Sequence, residues 1–387
     1  MSTLVRTLGL FFVALRLGIP SACLAGPLAS PSETTATQKA TGPSLPRLPR
    51  DNLLIWRDAA GEQHPVKTVD DWKKRRAEIL KGMQAVMGPL PGDSKRSPLA
   101  PETAEEVDCG TYVRRLITYQ SEPGSRVPAY LCIPKSLLED KTGKKQAPAV
   151  LCLHGTDNVV GHGTVVGLGT RPNRQYAAEL AERGFVTLAP NYPKLAKYQP
   201  DLAKLGWDSG TLKAIWDNIR GLDLLESLPF VKPGGFGAIG HSLGGHNSVY
   251  TAVFDERIAT VVSSCGLDSF LDYYGGDESK WLPDKGWTQQ LYMPRLANYH
   301  GKLADIPFDF HELIGAIAPR HVLIIAPTRD HNFQAASVDR IAKSAGAIFA
   351  LYNHPDHLAV EHPDCEHDFP PEMRERAYRL FEETLRK

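Results

Sequence analysis

The chain has 387 residues, of which 42% are hydrophobic and 23% charged, and this composition excludes a disordered or fibrous protein. Lysine plus arginine and aspartate plus glutamate balance at 44 each, so no net field favours nucleic acid or anionic lipid as a partner. The length allows two or three domains, or one large α/β domain with appendages.

Residues 1–25 have the layout of a secretory signal peptide. Arg6 precedes the apolar run Leu8–Leu15, and small residues lead to Ala25, where we expect cleavage. The run is too short to span a bilayer, so no transmembrane segment is expected and a secreted or periplasmic location follows. A lipid anchor at Cys23 is disfavoured, because the apolar residue that such a signal carries three places upstream is missing.

Residues 26–50 are rich in Pro, Ser and Thr, and we expect them to form a flexible tether. Residues 51–110 are predicted to be an N-terminal helical extension. Its helix spans Asp70–Met87, with apolar residues at helical spacing on one stripe. We expect Trp72 on this stripe to contact the core rather than a substrate pocket.

Residues 111–387 are predicted to form the catalytic domain. An antiparallel hairpin, Thr111–Gln120 with Val127–Ile133, comes first. Short apolar runs then alternate with helices, which is typical of a mostly parallel sheet with helices on both faces. The predicted strands are 149–154, 185–190, 236–242, 258–265, 321–327 and 358–362, and the last helix is 372–385. The alternation of apolar runs and helices stops at 266–320. We interpret this segment as an insertion that caps the carboxyl edge of the sheet.

The motif with the strongest chemical meaning is Gly240-His241-Ser242-Leu243-Gly244, directly between a predicted strand and a predicted helix. G-x-S-x-G in this context is a nucleophile elbow. The glycines, Gly240 and Gly244, are needed because a side chain there would collide across the sharp turn. An inert serine in a tight turn is the alternative.

A nucleophilic serine needs a base and an acid, which follow it in the order acid, then histidine. Asp330 lies in the loop after the strand 321–327, although it could instead cap a helix. His367 is the histidine in the loop after the last strand. His354, His357, His362 and Cys365 lie nearby and suggest a metal site by spacing, but the strand between His357 and His362 pulls the groups apart, so we expect no metal site and no cofactor. Cys365 as a thiol nucleophile is disfavoured, because Ser242 takes the nucleophile position.

The predicted oxyanion hole consists of backbone amides. One is the amide of Leu243, and the other is that of Thr156, with Gly155 as the alternative, in the loop after the strand 149–154. His241 and His246 flank the nucleophile but are interpreted as structural. Five cysteines remain after the signal peptide, and no disulfide framework is implied; Cys132 and Cys152, in apolar runs, are expected to be buried thiols.

From Tyr112 to Lys387 the chain resembles the α/β-hydrolase superfamily, and especially exported bacterial esterases grouped with dienelactone hydrolases, acetyl xylan esterases and prolyl oligopeptidase catalytic domains. The resemblance lies in VLCLHGT, FGAIGHSLGGHNS, IAPTRDHNF and HPDCEHDFPPEMRERAYRLF. It implies the α/β-hydrolase fold, with Ser242 as nucleophile, Asp330 as acid and His367 as base.

The predicted function is a secreted serine carboxylic-ester hydrolase that forms an acyl-enzyme and acts on a small-molecule or carbohydrate ester. Aromatic residues of the insertion suit a sugar ring or an aromatic acyl group, or else simply pack the cap: Tyr273, Tyr274, Trp281, Trp287, Tyr292 and Tyr299. The alternatives are a small-peptide amidase of prolyl-oligopeptidase type and a silent binding protein on the same fold. The sequence leaves the oligomeric state open.

Overall fold

The computed structural model describes residues 46–387. The predicted signal peptide and all but the last five residues of the predicted tether lie outside these described residues. No helix within 46–387 is long and apolar enough to cross a membrane.

The end of the predicted tether packs against the body of the protein. The guanidinium group of Arg47 pairs with Glu312, and that of Arg50 pairs with Asp309 at 2.5 Å. Both carboxylates are almost fully buried and need cationic partners there. The prediction of a flexible tether up to Arg50 is therefore wrong for residues 46–50.

The extension 51–110 is only partly helical. A small antiparallel pair, β1 (Ile55–Arg57) and β2 (Gln63–Pro65), precedes helix α1 (Val69–Met87). Thr68 begins α1 with a capping box, in which its side chain accepts from the backbone of the third helical residue. Trp72 of α1 is fully buried in the main hydrophobic core, as predicted.

The main sheet has nine strands in the order β11-β10-β9-β8-β6-β7-β5-β4-β3. The six strands from β11 to β7 are parallel, and β5, β4 and β3 continue the sheet in antiparallel pairing. Their bounds are β3 Glu102–Asp108, β4 Tyr112–Glu122, β5 Ser125–Pro134, β6 Ala149–Leu153, β7 Val186–Pro190, β8 Phe236–His241, β9 Ile258–Ser264, β10 His321–Ile325 and β11 Leu358–Glu361. The sheet thus starts at β3, inside the segment predicted as helical.

Helices cover both faces of this sheet, so two hydrophobic cores form, one on each face. Helices α3 and α8 pack on one face, and α1, α4, α5, α6 and α7 on the other. The helices are α2 Lys135–Leu138, α3 Tyr176–Glu182, α4 Gly210–Ser227, α5 Leu243–Phe254, α6 Phe310–Ile317, α7 Ala335–Leu351 and α8 Pro371–Leu385. This is the predicted α/β-hydrolase architecture.

The crossover helices set the position of the functional site. The helix after β6 lies on one face of the sheet, whereas the helix after β7 lies on the other. In open α/β sheets, ligands bind beyond the carboxyl ends of the strands where this reversal occurs. The loops after β6 and β8 are therefore the expected positions for chemistry.

The predicted insertion 266–320 contains five short 3₁₀ turns and ends in a helix. Residues 310–317 form α6, every residue of which is buried, and this helix packs against α5 and α7. Asp309 begins α6 with a capping box. The cap therefore ends before Asp309, and the helix after it belongs to the core of the fold.

Candidate active site

Ser242 stands on a strained turn between β8 and α5. Its backbone angles are φ 56° and ψ −123°, in a region that non-glycine residues rarely adopt. Its amide donates to the carbonyl of Ser264 at 2.8 Å, and its carbonyl accepts from the amide of His246 at 3.0 Å. These bonds to β9 and α5 hold the serine in place.

The two glycines of the elbow are required by contact distances. A Cβ atom at Gly240 would lie 2.1 Å from the backbone of Gly244, and one at Gly244 would lie 1.9 Å from the carbonyl oxygen of Leu153. No side chain fits at such separations. The sequence-predicted reason for both glycines is therefore correct in this structure.

His367 and Asp330 meet at the carboxyl edge of the sheet. Nδ1 of His367 lies 2.8 Å from Oδ2 of Asp330, and the carboxylate side chain is 1% exposed. Because the carboxylate oxygen accepts, Nδ1 is the donor of this hydrogen bond. The other oxygen, Oδ1, accepts from the amides of Asn332 and Phe333 at 2.8 and 3.3 Å.

A loop clamp fixes the segment that carries His367. The next residue, Asp368, accepts hydrogen bonds from Asn173 at 2.6 Å and from Arg174 at 2.5 Å. Its carbonyl oxygen accepts from the Sγ of Cys265, 3.2 Å away. Although burial favours the neutral acid, the bonds from Arg174 and Asn173 hold the pKa of Asp368 below its ordinary value.

Ser242 and His367 line one cavity of about 520 Å³. Asp330 lies behind His367. Among the described residues, no hydrogen bond joins the Ser242 hydroxyl to the histidine in this structure. Catalytic hydrogen bonds are often long before substrate binds, so this separation is compatible with catalysis. A larger cavity, of about 770 Å³, lies beside residues 47–54 and includes neither residue.

The loop after β6 approaches Ser242 closely. A Cβ atom at Gly155 would lie 3.3 Å from the carbonyl oxygen of His241 and 3.6 Å from the Cβ of Ser242. Thr156 lines the cavity, and its hydroxyl lies 3.0 Å from that of Tyr292. The predicted oxyanion residues are thus brought together with Ser242, and Leu243 lines the same cavity.

Four of the six predicted cap aromatics line the cavity: Tyr273, Tyr274, Trp287 and Tyr292. The ring centroids of Trp287 and Tyr292 lie 5.0 Å apart, and their planes meet at 68° in an edge-to-face contact. The other two aromatics serve packing. Trp281 is fully buried, and Tyr299 is partly buried against the core.

His241 and His246 make different contacts from His367. Nδ1 of His241 lies 3.2 Å from the hydroxyl of Ser264, and burial together with nearby Arg174 lowers the pKa of His241 well below its ordinary value. The buried ring of His246 stacks on Trp287 at 4.0 Å, and burial lowers its pKa to about 3. Both rings are therefore neutral.

The remaining histidines of the C-terminal segment lie away from the cavity. His354 and His357 stack at 4.3 Å before the amino end of β11, opposite the carboxyl edge. Together with Asp356 they could hold a metal ion, as judged from the described residues. His362 contacts the carbonyl of Ala326 instead. As predicted, a strand, β11, lies between His357 and His362.

Sequence reasoning missed the polar lining of the cavity. The missed polar residues are Asp157, Thr164, Arg171, Arg174, Lys280, Gln289 and Asn332. Arg171 and Arg174 belong to the long loop after β6. The rule that ligands bind at carboxyl ends of strands could have pointed to that loop. The cap residues carry no such signal, because the path of an irregular segment does not follow from its composition.

Comparison with known proteins agrees with this geometry. The family model described as glucuronyl esterase of fungi matches residues 203–353. The presumed hydrolase YtaP of Bacillus subtilis (strain 168) is 26% identical over 320 residues, which are 80% of this chain and all of YtaP. The chain is an esterase with the α/β-hydrolase fold.

Solved structures show the same fold. A glucuronoyl esterase from Solibacter usitatus superposes with a TM-score of 0.69 at 18% identity, covering 87% of this chain and 98% of the esterase. An acetyl xylan esterase from Paenibacillus sp. R4 gives a TM-score of 0.53 at 17% identity, covering 75% of this chain and 90% of the other. The predicted esterase resemblance is confirmed.

Proposed function

We propose that the protein is an exported serine esterase that cleaves carboxylic esters of carbohydrates. The observation that carries this proposal is the placement of Ser242. The serine stands on a strained strand–helix turn and shares one cavity with His367, whose Nδ1 is bonded to a buried Asp330. That combination of nucleophile, base and orienting acid is the arrangement used for acyl transfer.

The chemistry follows from these positions. His367 Nε2 takes the proton from the Ser242 hydroxyl as its oxygen attacks the ester carbonyl carbon, while Asp330 holds the imidazole in the required tautomer. Amides of Leu243 and Thr156, or Gly155, stabilise the oxyanion. The C–O bond to the alcohol then breaks, and His367 returns the proton to the leaving oxygen.

The second half of the reaction reverses the roles. Water attacks the acyl-enzyme as His367 takes its proton, and the Ser242–acyl bond breaks to release the acid. The proton returns to Ser242. Both steps use only the ester, one water molecule and the side chains of Ser242, His367 and Asp330.

The substrate class rests on the cavity walls and on the matching family. Trp287 and Tyr292 present rings beside Ser242, and aromatic side chains of this kind pack on sugar rings. The matching family is named for glucuronyl esters, in which the sugar's own carboxyl group is esterified. We therefore place uronic-acid esters first, with acetylated sugars as the second class. Export is supported by the signal-like pattern of residues 1–25.

The test is a hydrolysis panel with purified protein. The substrates are a glucuronic-acid methyl ester, an acetylated xylooligosaccharide, and p-nitrophenyl acetate, butyrate and octanoate. We expect Ser242→Ala to lower kcat/KM by at least about 10³-fold. Ser94→Ala, which removes an exposed serine hydroxyl that does not line the cavity, is the control and should match wild type.

The outcomes separate the possibilities clearly. A preference for the uronic-acid ester supports the substrate class, whereas a preference for octanoate would point to a general or lipid esterase. Wild-type activity in Ser242→Ala would show that the nucleophile is misassigned.

A further inference from the structure

Arg171 is an exposed guanidinium at the Ser242 cavity without a partner among residues 46–387. It lines the cavity, yet it makes no ion pair or hydrogen bond with a described residue. Arg174, three positions later, instead pairs with Asp368 and donates to the carbonyl of His367. Arg171 is thus the cation of this loop whose donors remain available to a ligand.

The loop that carries Arg171 is held firmly. Asn173 adopts a left-handed backbone conformation (φ 60°), and its side chain both donates to Asp368 and accepts from Arg374 at 2.8 Å. These bonds lie two residues after Arg171 and fix its backbone beside the histidine loop. Burial is the main cause that lowers the pKa of His241, and the positive charges of Arg174 and Arg171 add to it. The charge therefore belongs to the site.

The cap contributes a second cation to the same cavity. Lys280 lines it, with its Nζ 4.8 Å from the centre of the Tyr274 ring. Its nearest carboxylate, that of Asp277, lies 3.7 Å away and is 43% exposed, so water screens that pair. Arg171 and Lys280 therefore both place a positive charge at this cavity, where it can bind a negatively charged ligand.

The carboxylate that lines the cavity is held by backbone amides. Asp157 is the carboxylate among the lining residues, and its Oδ1 accepts from the amides of Val159, Val160 and Gly161 at 2.9, 2.6 and 3.2 Å. A carboxylate engaged by three amides repels an incoming anion less than a free one. The mouth beside Ser242 is accordingly positive.

We propose that Arg171, assisted by Lys280, binds a free carboxylate of the substrate, so that the preferred substrate is an acidic carbohydrate with one esterified and one unesterified uronic acid. This inference rests on the proposed esterase function. A guanidinium group binds a carboxylate through two parallel hydrogen bonds, which gives it both affinity and geometric selectivity. A fully esterified, neutral carbohydrate offers Arg171 no such partner.

The test compares two substrates that differ in one charge. They are the monomethyl and dimethyl esters of the same diuronic acid, measured as the ratio of their kcat/KM values at low and high salt. We expect wild type to favour the monoester by about 10-fold, and Arg171→Gln to bring this ratio close to one. Arg171→Lys should keep part of the preference, and 0.5 M NaCl should reduce it in wild type.

A matched control removes an equivalent charge elsewhere. Arg379 is exposed on α8, and Arg379→Gln should keep the wild-type ratio. If Arg171→Gln also keeps that ratio, the carboxylate subsite is wrong, even though the esterase activity would stand.

A binding measurement keeps the two proposals apart. The unesterified diuronic acid is titrated into Ser242→Ala and into Ser242→Ala combined with Arg171→Gln. We expect at least about 5-fold weaker binding in the double variant, and this needs no turnover. Equal affinities would overturn the subsite, whereas loss of hydrolysis in every form with intact binding would overturn only the esterase assignment.

Discussion

The imidazoles of His241 and His367 lie edge to face, with ring centroids 4.8 Å apart, but they have different partners. His367 is bonded to the buried carboxylate of Asp330, whereas His241 is bonded to the hydroxyl of Ser264. Of these two histidines, only His367 has a carboxylate partner that stabilises its positive charge when it accepts a proton.

This difference predicts unequal effects of the two histidines on catalysis. His367→Gln should lower kcat/KM for p-nitrophenyl acetate by about 10³-fold or more, because the base is lost. His241→Gln should lower it by less than about 10-fold, since glutamine can still bond to Ser264. Equal losses in the two variants would contradict the assignment of His367 as the base.

The Asp330–His367 pair has a natural control elsewhere in the chain. His362 contacts Asp339 at 3.0 Å, outside the cavity. Asp330→Asn should lower kcat by about 10²- to 10⁴-fold, because the amide no longer favours the tautomer with a free Nε2. Asp339→Asn should leave kcat within 2-fold of wild type, as measured by steady-state kinetics. A similar loss in both variants would mean that these substitutions act through general destabilisation.

The clamp on Asp368 is expected to position His367. Arg174→Met removes the bond to Asp368 and the donor to the His367 carbonyl, so we expect kcat to fall about 10-fold with a smaller change in KM. Arg174→Lys should recover part of the loss, because it restores the charge without the second donor. If KM rises while kcat stays constant, Arg174 binds substrate rather than positioning the base.

Buried histidines should make the protein sensitive to acid. Burial lowers the pKa of His154 to about 4, and that of His162 and His246 to about 3. These groups are neutral in the folded protein but take a proton in the unfolded chain below its ordinary pKa of about 6.5. The unfolded state then binds more protons, so the free energy of unfolding falls as the pH drops from about 6.5 towards the folded pKa values.

Urea unfolding at pH 5.5 and 4.5 measures this effect. In His246→Phe, the loss of unfolding free energy between the two pH values should be smaller by about 1.4 kcal/mol, the value of one proton over one pH unit. His300→Phe is the control, because its ring is 43% exposed. An unchanged pH dependence in His246→Phe would show that this histidine is not neutral in the folded protein.

Much of the fold followed from local sequence patterns. The buried strands β6, β8 and β10 read as short apolar runs, and the elbow at Ser242 combines a strand, two glycines and a helix. Both signals are local, because the apolar run of a buried strand and the steric limits of a sharp turn each depend on only a few neighbouring residues. Ser242, Asp330 and His367 could be predicted as a triad because each lies in the segment after a strand. Parallel strands bring their carboxyl ends to the same edge of the sheet.

The parts that were missed depend on distant contacts. β3 is rich in glutamate and lacks an apolar alternation, so only its pairing with β4 makes it a strand. Residues 46–50 (PRLPR) carry no helix or strand pattern, and their packing depends on carboxylates at the start of α6, more than 250 positions later. Arg171 likewise has meaning only once the fold places it beside Ser242.

The composition of β3 bears on how the sheet ends. Its seven residues include four carboxylates, Glu102, Glu105, Glu106 and Asp108, and most of the strand is exposed. An exposed edge strand offers unpaired backbone groups to another molecule, and two such edges in register would place like charges opposite one another. The acidic side chains of β3 therefore disfavour the pairing of this edge with the same edge of a second copy.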